Sequence, residues 1–237
     1  MCSVSWARRA ESLLVVMNRD ERRDRAPARP PRRWRGNGEA FTAPVDGDAG
    51  GTWIAATDSG VVLALLNHYR PDDSAAGLAS EEDAGVGSAR RRISRGVLVT
   101  TLAADALPPD AERLRSAGLA SFAPFRLFVA GLRVPPRVFT WDGAGLSGRQ
   151  LDPRLGFLTS SSWNARAVIP ARHARFRAFA RAHPRPTRAD LVAFHAGASD
   201  PRGTPWAICM SRDDARTVSL TIVEVTTAGP TMRYRAV

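Results

Sequence analysis

Short apolar runs broken by turn residues dominate both ends of the chain, and segments with helical spacing occupy its middle. The pattern predicts strands at 2–6, 13–18, 53–57 and 61–66, with Asp58-Ser59-Gly60 as a hairpin signal between the last two. Ile93, Val97, Leu98, Thr101 and Leu102 recur at helical spacing, and Pro108-Pro109 closes that segment. A short helix is expected at 110–117, followed by strands at 125–130, 137–141, 146–151 and 157–160. Ile169, Arg172, Phe176 and Phe179 share one helical face, and Thr187-Arg188-Ala189-Asp190 is a capping-box-like start for a helix through about His195. Strands at 206–211, 218–225 and 232–235 finish the chain. Two stretches lack periodicity. Residues 19–35, with Pro27, Pro30, Pro31 and Trp34 among many arginines, read as a loop, and so do residues 70–92, rich in Asp, Ser, Gly and Ala. Strands at both ends with helices between them favour α+β with an antiparallel sheet over a doubly wound parallel one. No repeat or linker interrupts the chain, so one domain spanning 1–237 is expected.

Composition changes this picture little. The 237 residues are 44% apolar, enough for a substantial core. The net charge of +11 raises the question of nucleic acid. Every basic residue is Arg and none is Lys, which points to a GC-rich coding bias rather than to selection for phosphate contacts. The densest basic stretch is the Pro-interrupted one at 19–35, not a recognition helix, so no nucleic-acid partner is expected. No apolar run approaches the ~20 residues of a membrane span, and the N-terminus lacks the order of a signal peptide. A soluble, cytoplasmic protein is expected. With Cys2 and Cys209 as the only cysteines there is no disulfide framework. His68, His173, His183 and His195 show no metal-ligand spacing, so neither metal nor cofactor is expected. Cys209 reads as an inert thiol in mid-strand.

Cys2 carries the most chemistry. It is small enough for Met1 to be trimmed, which would leave a thiol and a free α-amine on one residue. An α-amine titrates near ~8 and a thiol near ~8.5, so each can serve the other as nucleophile and base. If the first two strands pair as a hairpin, Cys2 meets Asn18-Arg19-Asp20-Glu21. Arg19 is then expected to favour the thiolate, with Asp20 and Glu21 keeping the motif partly solvated. Acyl transfer also needs donors where an oxyanion forms. Asn67, at the end of an apolar strand, and Asn164, in Thr159-Ser160-Ser161-Ser162-Trp163-Asn164, are candidates, although each also suits a turn or cap. Gly50-Gly51-Thr52-Trp53 lacks the Lys of a phosphate loop and reads as a tight turn into a strand, with Trp53 a candidate pocket wall. His68, Arg216, Asn18 and Glu21 complete the candidate substrate contacts.

Four segments stand in order behind Cys2: Asn18-Arg19-Asp20-Glu21, Gly50-Gly51-Thr52-Trp53, Ala64-Leu65-Leu66-Asn67 and Arg216-Thr217-Val218-Ser219. In these the chain resembles, from Cys2 to about Glu224, the NRDE-motif family, the transport-and-Golgi-organisation family of eukaryotes and its bacterial relatives. That family is similar to the N-terminal-nucleophile hydrolases, which implies an αββα sandwich of antiparallel sheets. By resemblance to relatives with bile-salt or penicillin-V amidase activity, Asp20 would orient the Cys2 α-ammonium and Arg19 would bias the thiol towards thiolate. A buried Arg19–Asp20 ion pair bracing the hairpin is a compatible alternative. In NRDE relatives a Ser-Asn precedes Pro-x-Arg/Lys. Here Asn164 precedes Pro170-Ala171-Arg172, with Trp163 in place of the Ser, and Ser161 or Ser162 could fill its role. The resemblance implies a Cys-dependent hydrolase of a non-peptide C–N amide bond in a small-molecule substrate. The alternative it implies is a haem or acyl-lipid trafficking protein, with the Cys2 thiolate as a ligand to haem iron.

Overall fold

The structure is a computed structural model that describes residues 2–69, 93–197 and 204–237. β1 (Cys2–Arg8) and β2 (Ser12–Arg22) form the expected hairpin at the centre of a five-stranded sheet. β10 (Leu155–Thr159) flanks β1, and β11 (Ala215–Thr226) and β12 (Gly229–Ala236) continue beyond β2. A second sheet runs in chain order through β3 (Arg29–Arg35), β4 (Ala40–Val45), β5 (Ile54–Thr57), β6 (Val61–Asn67), β7 (Phe125–Gly131), β8 (Arg137–Trp141) and β9 (Leu146–Gln150). Every ladder between these strands is antiparallel. α1 (Arg95–Ala103) and α2 (Ala111–Ser116) cover the second sheet; α3 (Ala165–Ala182) and α4 (Arg188–His195) cover the first. The result is the αββα sandwich that the resemblance implies. No helix among the described residues is long and apolar enough to cross a membrane.

The layering explains why β2 reads as an unbroken apolar run. Both of its faces are covered, and side chains alternate between them. Leu13, Val15 and Met17 join Val4, Trp6, Ile54, Val62, Leu66 and Phe128 in the layer between the sheets. Leu14 and Val16 turn the other way, to Leu191 of α4 and Leu220. Glycine permits two close approaches. Opposite Trp6 stands Gly156, where a Cβ would fall 2.0 Å from the indole ring. At Gly51 a Cβ would fall 2.4 Å from the Gly96 backbone, so this glycine lets the start of α1 dock beside the turn, where Thr52 N–H donates to Gly96 O. Gly50, at φ +70, makes the tight turn expected before β5.

Three expectations are corrected. Residues 19–35 are not a loop: β2 continues to Arg22, and Arg29–Arg35 forms β3. The prolines are tolerated because β3 is an edge strand whose register shifts between Arg29 and Arg32, around Pro30 and Pro31. Residues 206–211 form turns rather than a strand, joined to β11 by an isolated bridge from Ser211 to Arg216. Cys209 consequently lies half-buried outside any strand. β4 had no counterpart in the apolar pattern, and the segment 70–92 lies outside the described residues.

On the helix side of the first sheet a polar layer is buried. His195 of α4 is hydrogen-bonded through Nε2 to Ser5 Oγ at 2.8 Å and through Nδ1 to Asn18 Oδ1 at 3.2 Å. Burial lowers the pKa of His195 to about 3, so it is neutral in the fold. An unfolded histidine titrates near ~6.5, so between these values the unfolded chain binds the extra proton and stability falls as pH falls. Between pH 7 and pH 5 this one group is expected to remove about 2 kcal/mol. Urea unfolding at the two pH values checks it: His195→Gln should lose less stability over that interval than the wild type, and equal losses would contradict the assignment.

Candidate active site

The hairpin register pairs Cys2 with Arg19. Residues directly opposite share a face, so both lie towards the layer between the sheets, and Asn18 and Asp20 turn towards the helices. Cys2 N–H donates to Ser160 Oγ at 3.1 Å, and Ser160 N–H returns a bond to Cys2 O at 2.9 Å. The end of β10 thereby holds the start of β1.

Arg19 is 4% exposed, and its guanidinium carbon sits 4.4 Å over the Trp53 ring. Its Nη2 donates to Glu21 Oε2 at 2.9 Å and to Asp46 Oδ2. Asp46 belongs to the turn after β4, where Oδ1 also accepts from the Ala49 N–H at 2.7 Å and from Arg25 Nη2 at 2.8 Å. The second sheet thus supplies both a counter-charge and an aromatic floor for Arg19. Asp20 does not pair with Arg19, because consecutive strand residues face opposite layers; the expected bracing ion pair is absent. Instead Asp20 Oδ1 accepts from Thr217 Oγ1 at 2.6 Å, and Oδ2 lies 3.7 Å from Arg172 Nη1. Asn18 also faces the helices, donating from Nδ2 to His195 O at 2.9 Å and to Ile208 O at 3.0 Å.

The thiol is not poised as thiolate. Desolvation is the dominant influence and pushes the Cys2 pKa up, and the nearby Asp20 carboxylate adds to it. The amino terminus first, then Arg19 and the Asp20 backbone N–H, pull it down but do not win. The expected partly solvated motif is in fact dry, with Cys2, Arg19 and Asp20 all buried. Burial also raises the pKa of Asp20, against the lowering effect first of Arg172 and then of the amino terminus, Thr217 and Arg212.

The two asparagines stand apart from this cluster. Asn67 ends β6 and donates from Nδ2 to Tyr69 Oη at 2.8 Å. Asn164 caps the start of α3 in a left-handed conformation, φ 40 and ψ 49, with no side-chain capping bond. Neither hydrogen-bonds to Cys2, Arg19 or Asp20. Trp53 and Glu21 do join the cluster, through Arg19. His68 is half-buried and its N–H donates to Pro124 O at 3.1 Å. Arg216, opposite Glu21 in the sheet, lines a cavity of about 450 Å³ with Asn18, His195, Cys209 and Thr217, whose lining includes none of Cys2, Arg19 and Asp20.

Reading the sequence for motifs missed Ser160, Asp46, Thr217 and Arg172 as parts of the site. Ser160, Thr217 and Arg172 stood inside noted segments, and Arg172 also occupies the buried stripe Val168, Arg172, Phe176 of α3, where an apolar residue is the rule. Asp46 had no signal beyond an Asp-Gly-Asp turn.

Comparison with known proteins fits this geometry. Residues 1–183 match the family described as Transport and Golgi organisation 2. The chain belongs to that family. No curated protein matches it in sequence. Among solved structures it is similar to the Caenorhabditis elegans N-acylethanolamine-hydrolyzing acid amidase ortholog, at TM-score 0.55 and 10% identity over 94% of this chain and 92% of that one. It is similar also to penicillin V acylase from Agrobacterium tumefaciens, at TM-score 0.52 and 10% identity over 100% and 86%. A mutant conjugated bile acid hydrolase from Clostridium perfringens follows at TM-score 0.51 and 9% identity, over 100% and 92%. At such identities the likeness shows a shared fold and not an activity.

A raised thiol pKa has a direct consequence. At pH 7 Cys2 should alkylate with iodoacetamide more slowly than half-buried Cys209, and Arg19→Ala should slow it further by removing a cation that favours thiolate. Peptide mass mapping over time checks this. Faster labelling of Cys2 than of Cys209 would show that the thiolate is already formed.

Proposed function

We propose that the chain is a cysteine N-terminal-nucleophile hydrolase that cleaves a non-peptide C–N amide bond of a small molecule, with Cys2 as nucleophile once Met1 has been removed. The observation that carries this reading is the seat of Cys2. It opens a central strand of an αββα sandwich, its nitrogen held by Ser160 Oγ, with Arg19 and Asp20 on the two faces of the paired strand.

The protonated thiol decides the order of events. As Sγ attacks the carbonyl carbon, its proton passes to the neutral Cys2 α-amine, which becomes an ammonium. Ser160 Oγ and the Asp20 carboxylate hold that ammonium, and Arg19 offsets the charge growing on sulfur. The carbonyl oxygen becomes an oxyanion, for which Asn67 and Asn164 are the candidate donors. On collapse the C–N bond breaks and the leaving amine takes the proton from the ammonium, leaving a thioester on Cys2. Water then attacks the thioester, the α-amine relays its proton to the departing sulfur, and thiol and free amine are restored. Substrate contacts are assigned to Trp53 and Glu21 beside Arg19; Asn18, His68 and Arg216 are more distant contributors.

Two measurements test the reading. Intact mass of the protein purified from cells should lack Met1; a dominant Met1-retaining species would block the amine and count against the mechanism. Against a panel of N-acyl amides, Cys2→Ala should lose turnover by at least about a thousandfold while remaining folded, and Cys209→Ala should match the wild type. If the panel is untouched and haem or acyl-CoA binds wild type and Cys2→Ala equally well, the trafficking reading takes its place.

A further inference from the structure

Arg172 is a charged residue that the mechanism leaves unused, and it is 0% exposed, among the largest fully buried side chains of the described residues. It sits in the middle of the apolar stripe of α3, one turn from Val168 and one from Phe176. A buried guanidinium is costly without an anion and hydrogen bonds to receive it. Asp20 is that anion, with Oδ2 3.7 Å from Arg172 Nη1 and both side chains at most 1% exposed. Nη1 also donates to Thr159 Oγ1 at 3.3 Å, and Nη2 to Pro205 O at 3.2 Å. Thr159 Oγ1 in turn shares a hydrogen bond of 2.8 Å with Ser3 Oγ, on the strand that begins with Cys2. One side chain from the helical layer therefore reaches β2, β10 and, through Thr159, β1.

We propose that Arg172 is a positioning residue for the Cys2 centre: from α3 it holds Asp20 as an oriented carboxylate, so that Asp20 can receive the Cys2 ammonium. The proposal rests on the reading of Cys2 as nucleophile, but its physical core, the hold of Arg172 on Asp20, is independent of any substrate. The charged and titratable groups facing Asp20 are Arg172, Arg212, the Cys2 thiol and the amino terminus. Of these, Arg212 is shared with Asp214, to which Nη2 donates at 2.8 Å. Arg172 has by contrast the largest opposing influence on a carboxyl that burial drives towards the neutral acid. A neutral Asp20 could still accept from Thr217 but would give an ammonium no counter-charge. Opposing the drive of burial towards the neutral acid is what the arginine does.

The test is a pH titration of the full chain labelled with [4-¹³C]aspartate, the Asp20 carboxyl resonance being identified by its loss in Asp20→Asn. Arg172→Met should raise the Asp20 midpoint by about 1–3 pH units, and Arg172→Lys should restore most of that shift. If Arg172→Met does not fold, Arg172→Gln takes its place, since an amide keeps hydrogen-bonding capacity without carrying charge. It is expected to show the same rise. A midpoint unmoved in a folded neutral variant would overturn the proposal and leave Arg172 a packing residue. The hydrolase reading can fail separately: the titration shift would then stand while no amide in the panel is turned over by wild type.

Discussion

The site depends on one antiparallel pairing, that of β1 with β2 in the register that sets Cys2 opposite Arg19. Strand alternation does the rest. The odd-numbered members of Asn18-Arg19-Asp20-Glu21 face the second sheet and the even-numbered ones face the helices, so four consecutive residues tie the hairpin to two different layers. Arg19 is received by Asp46, Glu21 and the Trp53 ring; Asn18 is received by α4 and the 208 segment; Asp20 is received by Thr217 and Arg172. A slip of one residue would exchange every one of these partners.

The electrostatics follow from how dry that hairpin is. Arg19 and Asp20 are both ionisable side chains placed where water is excluded, and each faces an oppositely charging group from a different layer instead of its neighbour. Truncating one partner of such a buried pair commonly costs about 3–5 kcal/mol, since an uncompensated charge remains. The thiol has no such partner of its own, and burial holds it in the neutral form. A thiol kept neutral by burial suits a nucleophile that gives up its proton only as it attacks.

Much of this was legible in the sequence, for local reasons. Apolar runs and turn residues marked the hairpin, most other strands and the four α-helices of the described residues, and the capping box at Thr187 and Asp190 forms as written. Cys2, Arg19 and Asp20 could be brought together because a hairpin needs only local register. The failures share a different cause. β3 was hidden by Pro30 and Pro31, which only an edge position tolerates, and edge position is a tertiary fact. The thiol was expected to be acidified because Arg19 was counted without the layers that dry the site and the carboxylates that already claim the guanidinium. Ser160, Asp46 and Arg172 reach the centre from 158, 27 and 152 positions away from the residues they touch, separations that no motif reports.

The central claim is that Cys2 becomes acylated during turnover, and the acyl-enzyme is its most direct witness. Protein that has lost Met1 should be mixed with an excess of N-acyl amide, quenched in acid within the first turnovers, digested with trypsin and weighed. The account predicts a hydroxylamine-sensitive acyl mass on the N-terminal peptide Cys2–Arg8 and none on the peptide that contains Cys209. Hydrolysis of the amide with that peptide unmodified, or an acyl group found only at Cys209, would contradict it.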